Sequence, residues 1–259
     1  PYFHVIFTLP QELNRLCLYR PELIYRLLFK TAWQVIQGFS SNHKFLGANP
    51  GMMAILHTWG QNLSLHPHLH CIVPGGGITK SGKWKLARNK GKYLFPVKAM
   101  SNVFRARFVA GLRKELTKTP ASFYKSLFKQ NWVVYCKRPF LGPAQVVEYL
   151  GRYTHKIAIS NHRLKNLDNE SITFSVKDYR HGGRKSFMRL PDAEFIRRFA
   201  LHILPKGFVR IRHYGILSLY HKRISLPNLK EIVVPLQLKK KSPLQHRKCP
   251  DCKKGELIT

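Results

Sequence analysis

The sequence predicts an α+β fold in which a central antiparallel sheet is flanked by helices. Short runs that are rich in apolar and β-branched residues recur along the chain and indicate strands. Segments with helical periodicity separate these runs. The segments 52–59 and 68–73 are joined by a polar link and can pair antiparallel. Because 44% of the 259 residues are apolar, the chain can bury a sizeable core.

The first half of the chain begins with a strand and a helical region. The strand stops at Pro10, and Pro21 divides the helical region into two helices because proline is disfavoured inside a helix. Residues 77–84 nearly match a phosphate-binding loop, but Trp84 replaces the metal-binding hydroxyl, so a basic hairpin turn is expected. The predicted elements are a strand at 2–9, helices within 11–39, strands at 52–59 and 68–73, a helix at 97–118 and a strand at 131–136.

The second half continues with a helix and several short strands. Pro143 suits the first turn of a helix, which the apolar spacing extends towards Thr154. After Leu226 clear periodicity is lost and a basic tail begins. The remaining predicted elements are strands at 156–160, 172–176 and 186–190, a helix at 192–204 and a strand at 208–213.

The charge of the chain predicts a polyanionic partner. Lys and Arg number 45 against 12 Asp and Glu, which gives a formal net charge of +33. A phosphate backbone is the expected ligand, and Arg210, Arg212 and Tyr214, which share one face of a predicted strand, are candidates for part of the binding surface. A solvated basic face is the alternative.

Composition excludes several other classes of protein. The chain has no run of 18 apolar residues and no signal peptide pattern, so we expect a protein outside the membrane. Its 5 cysteines do not form a disulfide framework, which favours a reducing compartment. Glu12 and Glu22 are the only acidic residues before Glu115, too few for a nuclease that binds two metals with clustered carboxylates.

Alternating histidines at His66, His68 and His70 predict a metal site. On a strand they share one face, with neighbours about 6.7 Å apart and the outer two about 13 Å apart. Only a neighbouring pair can therefore bind one ion with bonds near 2.1 Å. A third ligand must come from another element, and Gln61, His57 or Glu148 can supply it. Hydrogen bonding to neighbours is the alternative role of such histidines.

Two tyrosines four residues apart predict a nucleophilic site. Tyr149 and Tyr153 lie one turn apart on the same face of the predicted helix. Such a pair is often core, but Arg152, His155 and Lys156 surround it with positive charge that an apolar face disfavours. A phenol has a pKa of about 10, so the charge of Lys156 would help it to act as a phenolate. Together with the histidines, this pattern indicates metal-assisted cutting and joining of nucleic acid.

A cysteine pair near the end of the chain offers half of a zinc site. Cys249 and Cys252 are spaced like one knuckle of a zinc ribbon. The other two ligands are not evident, so an orphan knuckle in a basic tail is an equal alternative.

These residues resemble the HUH endonuclease superfamily and, within it, the two-tyrosine transposases of rolling-circle insertion sequences, the insertion sequence 91 family. His68-Leu69-His70 looks like the metal pair of the family, and Tyr149 and Tyr153 look like its paired nucleophiles. The resemblance covers nearly the whole chain. Further similar stretches are Phe7-Thr8-Leu9-Pro10, Thr58-Trp59-Gly60-Gln61, Arg152-Tyr153-Thr154-His155, Glu194-Phe195-Ile196-Arg197-Arg198-Phe199 and Arg210-Ile211-Arg212-His213-Tyr214-Gly215.

The resemblance implies an activity and its cofactor. It implies cleavage and transfer of single-stranded DNA through 5′-phosphotyrosine intermediates, with magnesium or manganese bound to the histidines and Gln61 as the preferred third ligand. The partners would be the single-stranded ends of the element and its target. A replication initiator or relaxase of the same superfamily, or a non-catalytic basic nucleic-acid-binding module, remains an alternative.

The resemblance also implies a domain organisation and a location. Residues 1–226 would form the catalytic domain, and residues 227–259 a basic tail that carries the half knuckle. The zinc-binding segment that usually precedes the catalytic domain is expected to lie outside this chain. A prokaryotic cytoplasmic protein associated with the nucleoid is expected.

Overall fold

The computed structural model describes residues 1–88, 94–140, 151, 158–178, 182–225, 247–248 and 256–257. The strands are β1 (Tyr2–Thr8), β2 (Gly51–Trp59), β3 (Leu65–Pro74), β4 (Gly76–Ile78), β5 (Trp84–Leu86), β6 (Val134–Phe140), β7 (Leu164–Leu167), β8 (Ser171–Asp178), β9 (Arg184–Pro191), β10 (Ile211–Gly215), β11 (Arg247–Lys248) and β12 (Glu256–Leu257). The helices are α1 (Asn14–Tyr19), α2 (Pro21–Ser41), α3 (Val97–Glu115), α4 (Ala121–Lys129), α5 (Asp192–Ala200) and α6 (Leu219–Ser225).

A five-stranded antiparallel sheet forms the centre of the fold. Its strand order is β10-β2-β3-β1-β6, and each neighbouring pair runs antiparallel. The predicted α+β class is therefore confirmed, as is the antiparallel pairing of the two strands joined by the polar link. The link, residues 60–64, connects β2 to β3 in the middle of the sheet.

One face of this sheet is buried by helices. Side chains that alternate along the strands, such as Phe7 and Leu69, point to this face and are fully buried there. The ring of Phe104 on α3 lies 5.0 Å from that of Phe7, and α2 packs beside α3. The two helices approach closely where Leu27 meets Gly111, because a Cβ on that glycine would lie 2.5 Å from a methyl of Leu27.

A smaller sheet packs around the link between β2 and β3. Its strands are ordered β7-β8-β9, and α5 follows directly after β9. A second apolar cluster joins the two parts and contains Leu63 from the link, Ala158, Phe174 of β8 and Leu190 of β9. The second half of the chain therefore contacts the end of the central sheet at which the link lies.

Several predicted elements differ in their bounds from the observed ones. The strand expected at 131–136 begins later, at Val134, and extends to Phe140. Residues 158–160 form a bend instead of the end of a strand, and helix α4 was not predicted. The predicted helix that starts at Pro143 lies outside the described residues. The basic hairpin is confirmed, since β4 and β5 pair across the turn.

Among the helices that the structure describes, none combines the length and the apolar character needed to cross a bilayer.

Candidate metal centre

Three histidines converge on one face of the central sheet. His57 on β2 pairs in register with His68 on β3, and His70 lies two residues further along β3, on the same face. One ring nitrogen from each of the three lies within 4.8 Å of the others. His57 is 3% exposed and His70 is 7% exposed, whereas His68 is half-buried. The cluster is therefore open to the outside at His68.

The spacing of the nitrogens fits a single metal ion. The Nε2 atoms of His68 and His70 lie 3.1 Å apart. On an ion with bonds near 2.1 Å, two nitrogens at right angles lie about 3 Å apart. His57 approaches from the neighbouring strand, with its ring centroid 4.3 Å from that of His70. Small shifts of these side chains would bring one ring nitrogen of each histidine within bonding distance of one ion.

The hydrogen bonds of His68 leave its Nε2 available as a ligand. Nδ1 of His68 lies 2.7 Å from the backbone carbonyl oxygen of His66. A carbonyl oxygen only accepts, so Nδ1 carries the proton and donates it. In the neutral ring the lone pair then sits on Nε2, the atom that faces His70.

His4 contacts the cluster from β1. Its Nε2 lies 2.8 Å from Nδ1 of His70, and the two rings are nearly parallel. When Nδ1 of His70 carries the proton, it donates to His4, and the lone pair of the His70 ring then lies on Nε2, the atom that faces His68 and could bind a metal. Ligating histidines commonly donate their second N–H to such a partner, which fixes the tautomer and the orientation of the ring.

Burial keeps the imidazoles of His68 and His70 neutral by lowering their pKa. Desolvation lowers the pKa of His68 to about 4. It also lowers the pKa of His70, and the nearby His57, His68 and His4 add to that effect. A metal ligand has to be a neutral imidazole, so at neutral pH no proton must leave these rings before an ion binds.

Aromatic side chains frame the cluster. Trp59 stacks on His57 with ring centroids 4.6 Å apart, and the guanidinium of Arg210 lies 5.6 Å from the Trp59 ring. Tyr135 on β6 is 52% exposed. Ile6 of β1 pairs with Tyr135 on one side and with His70 on the other. Paired residues of neighbouring strands point to the same face, so Tyr135 lies on the face of the histidines. Sequence reasoning missed Tyr135, although it lies near the end of the strand predicted at 131–136.

The structure brings some of the sequence-predicted site residues together. His68 and His70 adjoin each other, and the third member of the cluster is His57, one of the alternatives considered for that place. His66 is exposed and lies outside the group of three. Gln61 follows the end of β2, where its backbone carbonyl accepts a hydrogen bond from Arg163. Its role as a ligand stays a prediction.

Other predicted residues lie outside the described part of the chain. They are Glu148, Tyr149, Tyr153, Lys156, Cys249 and Cys252. The two nucleophiles, the assisting lysine and the zinc knuckle therefore remain predictions.

Two of the three residues predicted to bind phosphate pack against a helix instead. The guanidinium of Arg212 lies 4.3 Å from the centre of the Phe29 ring, and Tyr214 stacks on Trp33. Both partners belong to α2, so these two side chains pack on the helix side of the sheet. The prediction that Arg212 and Tyr214 face a phosphate backbone is not supported by these contacts.

Along most of its length the sequence is similar to those of proteins that are named as transposases or putative transposases. Residues 51–224 match a family described as "Putative transposase". The chain is 39% identical to the "Putative transposase y4qJ" of Sinorhizobium fredii (strain NBRC 101917 / NGR234), across the whole of this chain and 72% of that protein. It is 29% identical to the "Transposase for insertion sequence element IS801" of Pseudomonas savastanoi pv. phaseolicola, across 84% of this chain and 54% of that protein.

Proposed function

Because the chain belongs to the transposase family of the IS801 and IS91 type, we propose that it cleaves single-stranded DNA at a metal centre and transfers the strand through tyrosine–phosphate linkages. The observation that carries this proposal is the convergence of His57, His68 and His70 on one face of the sheet. The matched family segment contains all three histidines together with Tyr149 and Tyr153.

The histidines would hold a divalent ion through one ring nitrogen each. A bound ion would act as a Lewis acid that withdraws charge from the oxygens of the scissile phosphate. The sheet holds His57 and His68 opposite each other, and His4 orients His70. Because strand pairing and the contact with His4 fix the positions of these rings, little ordering is needed when an ion binds.

Tyr149 and Tyr153 supply the nucleophiles in this proposal. The phenolate oxygen of one attacks phosphorus, its proton having passed to solvent, and the bond from phosphorus to the 3′ oxygen breaks. That oxygen takes up a proton and becomes a free 3′ hydroxyl, while the 5′ phosphate stays joined to the tyrosine. Lys156 favours the phenolate by its charge. A 3′ hydroxyl can later attack the phosphotyrosine, so strands are rejoined without ATP.

A second tyrosine allows two strands to be held at once. While one tyrosine carries the end of the element, the other can cleave a second strand before the first linkage is resolved. This suits the transfer of an element from a donor to a target by a rolling-circle mechanism. Residues 1–226 would carry this chemistry, and the basic residues 227–259 would add contacts with phosphates.

The activity is tested by incubation of the protein with labelled single-stranded DNA that carries an element end. With manganese, an adduct that survives denaturation is expected, and chelation with EDTA should prevent it. DNA bound without any adduct would favour a basic nucleic-acid-binding module instead. Adducts formed only on replication or transfer origins would favour an initiator or a relaxase.

The donor set predicts a preference between the two expected ions. Among the described residues, the cluster holds three imidazoles and no carboxylate. Manganese is a transition metal and accepts imidazole nitrogen more readily than magnesium, which prefers oxygen ligands and keeps several of its own waters. Manganese should therefore bind at least about 10-fold more tightly than magnesium, in line with this order of ligand preference. Isothermal titration with each ion checks this, and equal or reversed affinities would contradict a three-histidine site.

His4 should strengthen metal binding without touching the ion. The His4→Ala substitution removes the acceptor of the Nδ1 proton of His70, so that ring can rotate or adopt the other tautomer. Removal of such a partner typically costs about 10–100-fold in affinity, which titration with manganese can measure. His4→Gln is the matched control, because its amide oxygen can accept the same bond and should preserve more affinity. A folded His4→Ala protein with wild-type affinity would exclude this role.

A further inference from the structure

Side chains from the second half of the chain bind three successive carbonyls of the link between β2 and β3. Arg163 donates to the carbonyl oxygen of Gln61 through its Nη2 atom. Arg198 donates to that of Asn62 at 3.1 Å, and Nε2 of His202 lies 3.0 Å from that of Leu63. The three donors lie 102, 136 and 139 residues further along the chain than their acceptors. We call Arg163, Arg198 and His202 the link clamp.

Each side chain of the link clamp is held by a second contact. Nε of Arg163 donates to the carbonyl oxygen of Ser175 at 2.8 Å, and Nε of Arg198 donates to Glu194 at 2.6 Å. Nε2 of His202 must donate, because a carbonyl oxygen only accepts, so its Nδ1 accepts a hydrogen bond from the Thr58 hydroxyl at 3.1 Å. Each of the three side chains is therefore held in its orientation by a contact other than the one it makes with the link.

The backbone of the link adopts a conformation that needs support. Leu63 has a φ of 60°, which is uncommon for a residue with a side chain. Its side chain is fully buried in the apolar cluster with Phe174 and Leu190. Such conformations persist where the surroundings hold them in place. Here the link clamp and the apolar cluster both do so.

The clamped link adjoins the metal cluster on both strands. His57 lies three residues before Gly60 and His68 lies four residues after Ser64. The pairing of β2 with β3 changes register between His57 and Trp59, close to the link. The conformation of the link therefore also affects the register in which His57 faces His68. Movement of the link would therefore move His57 relative to His68.

We propose that the link clamp positions the metal centre, so that Arg163, Arg198 and His202 act on His57 and His68 through the carbonyls of Gln61, Asn62 and Leu63. This inference rests on the proposed function, because it assigns a role to residues around the same site. The sequence motif Glu194–Phe199 would then support metal binding through Arg198, without contact with the ion. The members of the link clamp are positioning residues and do not contact the metal.

Arg197 and Arg198 provide a matched pair of variants. Both contact Glu194, and Arg197 does so through two hydrogen bonds of 2.6 and 2.9 Å. Only Arg198 also reaches the link. Arg197→Ala therefore removes a contact with Glu194 alone, whereas Arg198→Ala removes one together with the hydrogen bond to Asn62 and a contact with Met188 at 3.9 Å. The loss of a contact with Glu194 is thus common to both variants, and the loss of the link contact is particular to Arg198→Ala.

The test is titration of the full chain with manganese. Arg198→Ala should weaken manganese binding by about 10-fold, the lower end of the effect of second contacts around metal ligands. Arg197→Ala should remain within about 2-fold of wild type because it leaves the link intact. Arg198→Ala should melt at the lower temperature, because Arg198 is the more buried of the two and also contacts Asn62 and Met188. Both titrations are therefore run well below either melting temperature. Equal affinities of the two variants would overturn the proposal. If Arg198→Ala does not fold, Thr58→Val, which removes the hydroxyl that fixes His202, should show the same change to a smaller degree.

Hydrogen exchange in the absence of metal separates this inference from the proposed function. In Arg198→Ala, the backbone amides of Gly60, which donates to Ser64, and of His68 should exchange faster, while those of β1 keep their protection. Unchanged exchange at these amides would overturn the clamp even if manganese binds. If wild-type protein does not bind manganese, the proposed metal centre fails, and faster exchange would still support the action of the clamp on the two strands.

Discussion

Replacing both Tyr149 and Tyr153 with phenylalanine is expected to reduce the covalent protein–DNA adduct by at least about 10⁴-fold, the scale of loss when a covalent nucleophile is removed. Phenylalanine keeps each ring and removes only the oxygen that attacks phosphorus, so DNA binding should stay within about 2-fold of wild type. Each single variant should still form an adduct but should lose strand transfer, because transfer uses both tyrosines. Denaturing gels with end-labelled single-stranded DNA measure both steps.

Tyr135→Phe is the control for this experiment. Tyr135 is exposed on the face of the metal cluster and is the described tyrosine whose position allows it to compete as a nucleophile. The Tyr135→Phe protein should form adducts at the wild-type rate. If adducts disappear in Tyr135→Phe and persist in the double variant, the nucleophile lies on β6 and the assignment to Tyr149 and Tyr153 is wrong.

Substitution of His68 and His70 with alanine should abolish metal-dependent cleavage. A Lewis-acid metal supplies several kcal/mol of transition-state stabilisation, which corresponds to about 10²–10⁴-fold in rate. The double variant should therefore cleave at least about 100-fold more slowly at saturating manganese. It should also lose measurable manganese binding, because two of the three clustered nitrogens are gone. Binding is followed by calorimetry and cleavage by gel.

His66→Ala is the matched control on the same strand. His66 is exposed and lies outside the cluster, and the carbonyl that accepts the proton of His68 belongs to its backbone. This variant should therefore bind manganese and cleave DNA like the wild type. A loss in His66→Ala as large as the loss in the double variant would mean that the histidines act by a route other than the cluster.

The sequence predicted the central sheet because runs of apolar, β-branched and aromatic residues form its strands, which are buried along most of their length. The period of two along a strand placed His68 and His70 on one face and showed that His66 was too far from His70 to share an ion with it. The third histidine was one of three alternatives in the sequence, and counting along the strands does not single it out. Antiparallel strands pair symmetrically about their link, so counting outward from the centre of residues 60–64 would place His57 opposite Pro67. The register shift between His57 and Trp59 places His57 opposite His68 instead.

Other features depend on contacts that local patterns do not encode. Arg212 and Tyr214 were assigned to one strand face correctly, but which face meets α2 is set by the register of β10 against β2, where these residues pair with the buried Ala54 and Met52. The start of β6 at Val134 is set by pairing with β1, which lies far away in sequence. The link clamp joins residues more than 100 positions apart, and no spacing in the sequence indicates it.

Mapping the residue that becomes joined to DNA tests the central claim most directly. The protein is incubated with single-stranded DNA and manganese or EDTA, digested, and analysed by peptide mass spectrometry. We expect a 5′ phosphate on the peptide that contains Tyr149 and Tyr153, in the manganese sample alone. A linkage to Tyr135 or to any other residue, or an equal yield in EDTA, would contradict the proposal that these tyrosines cleave DNA at the histidine centre.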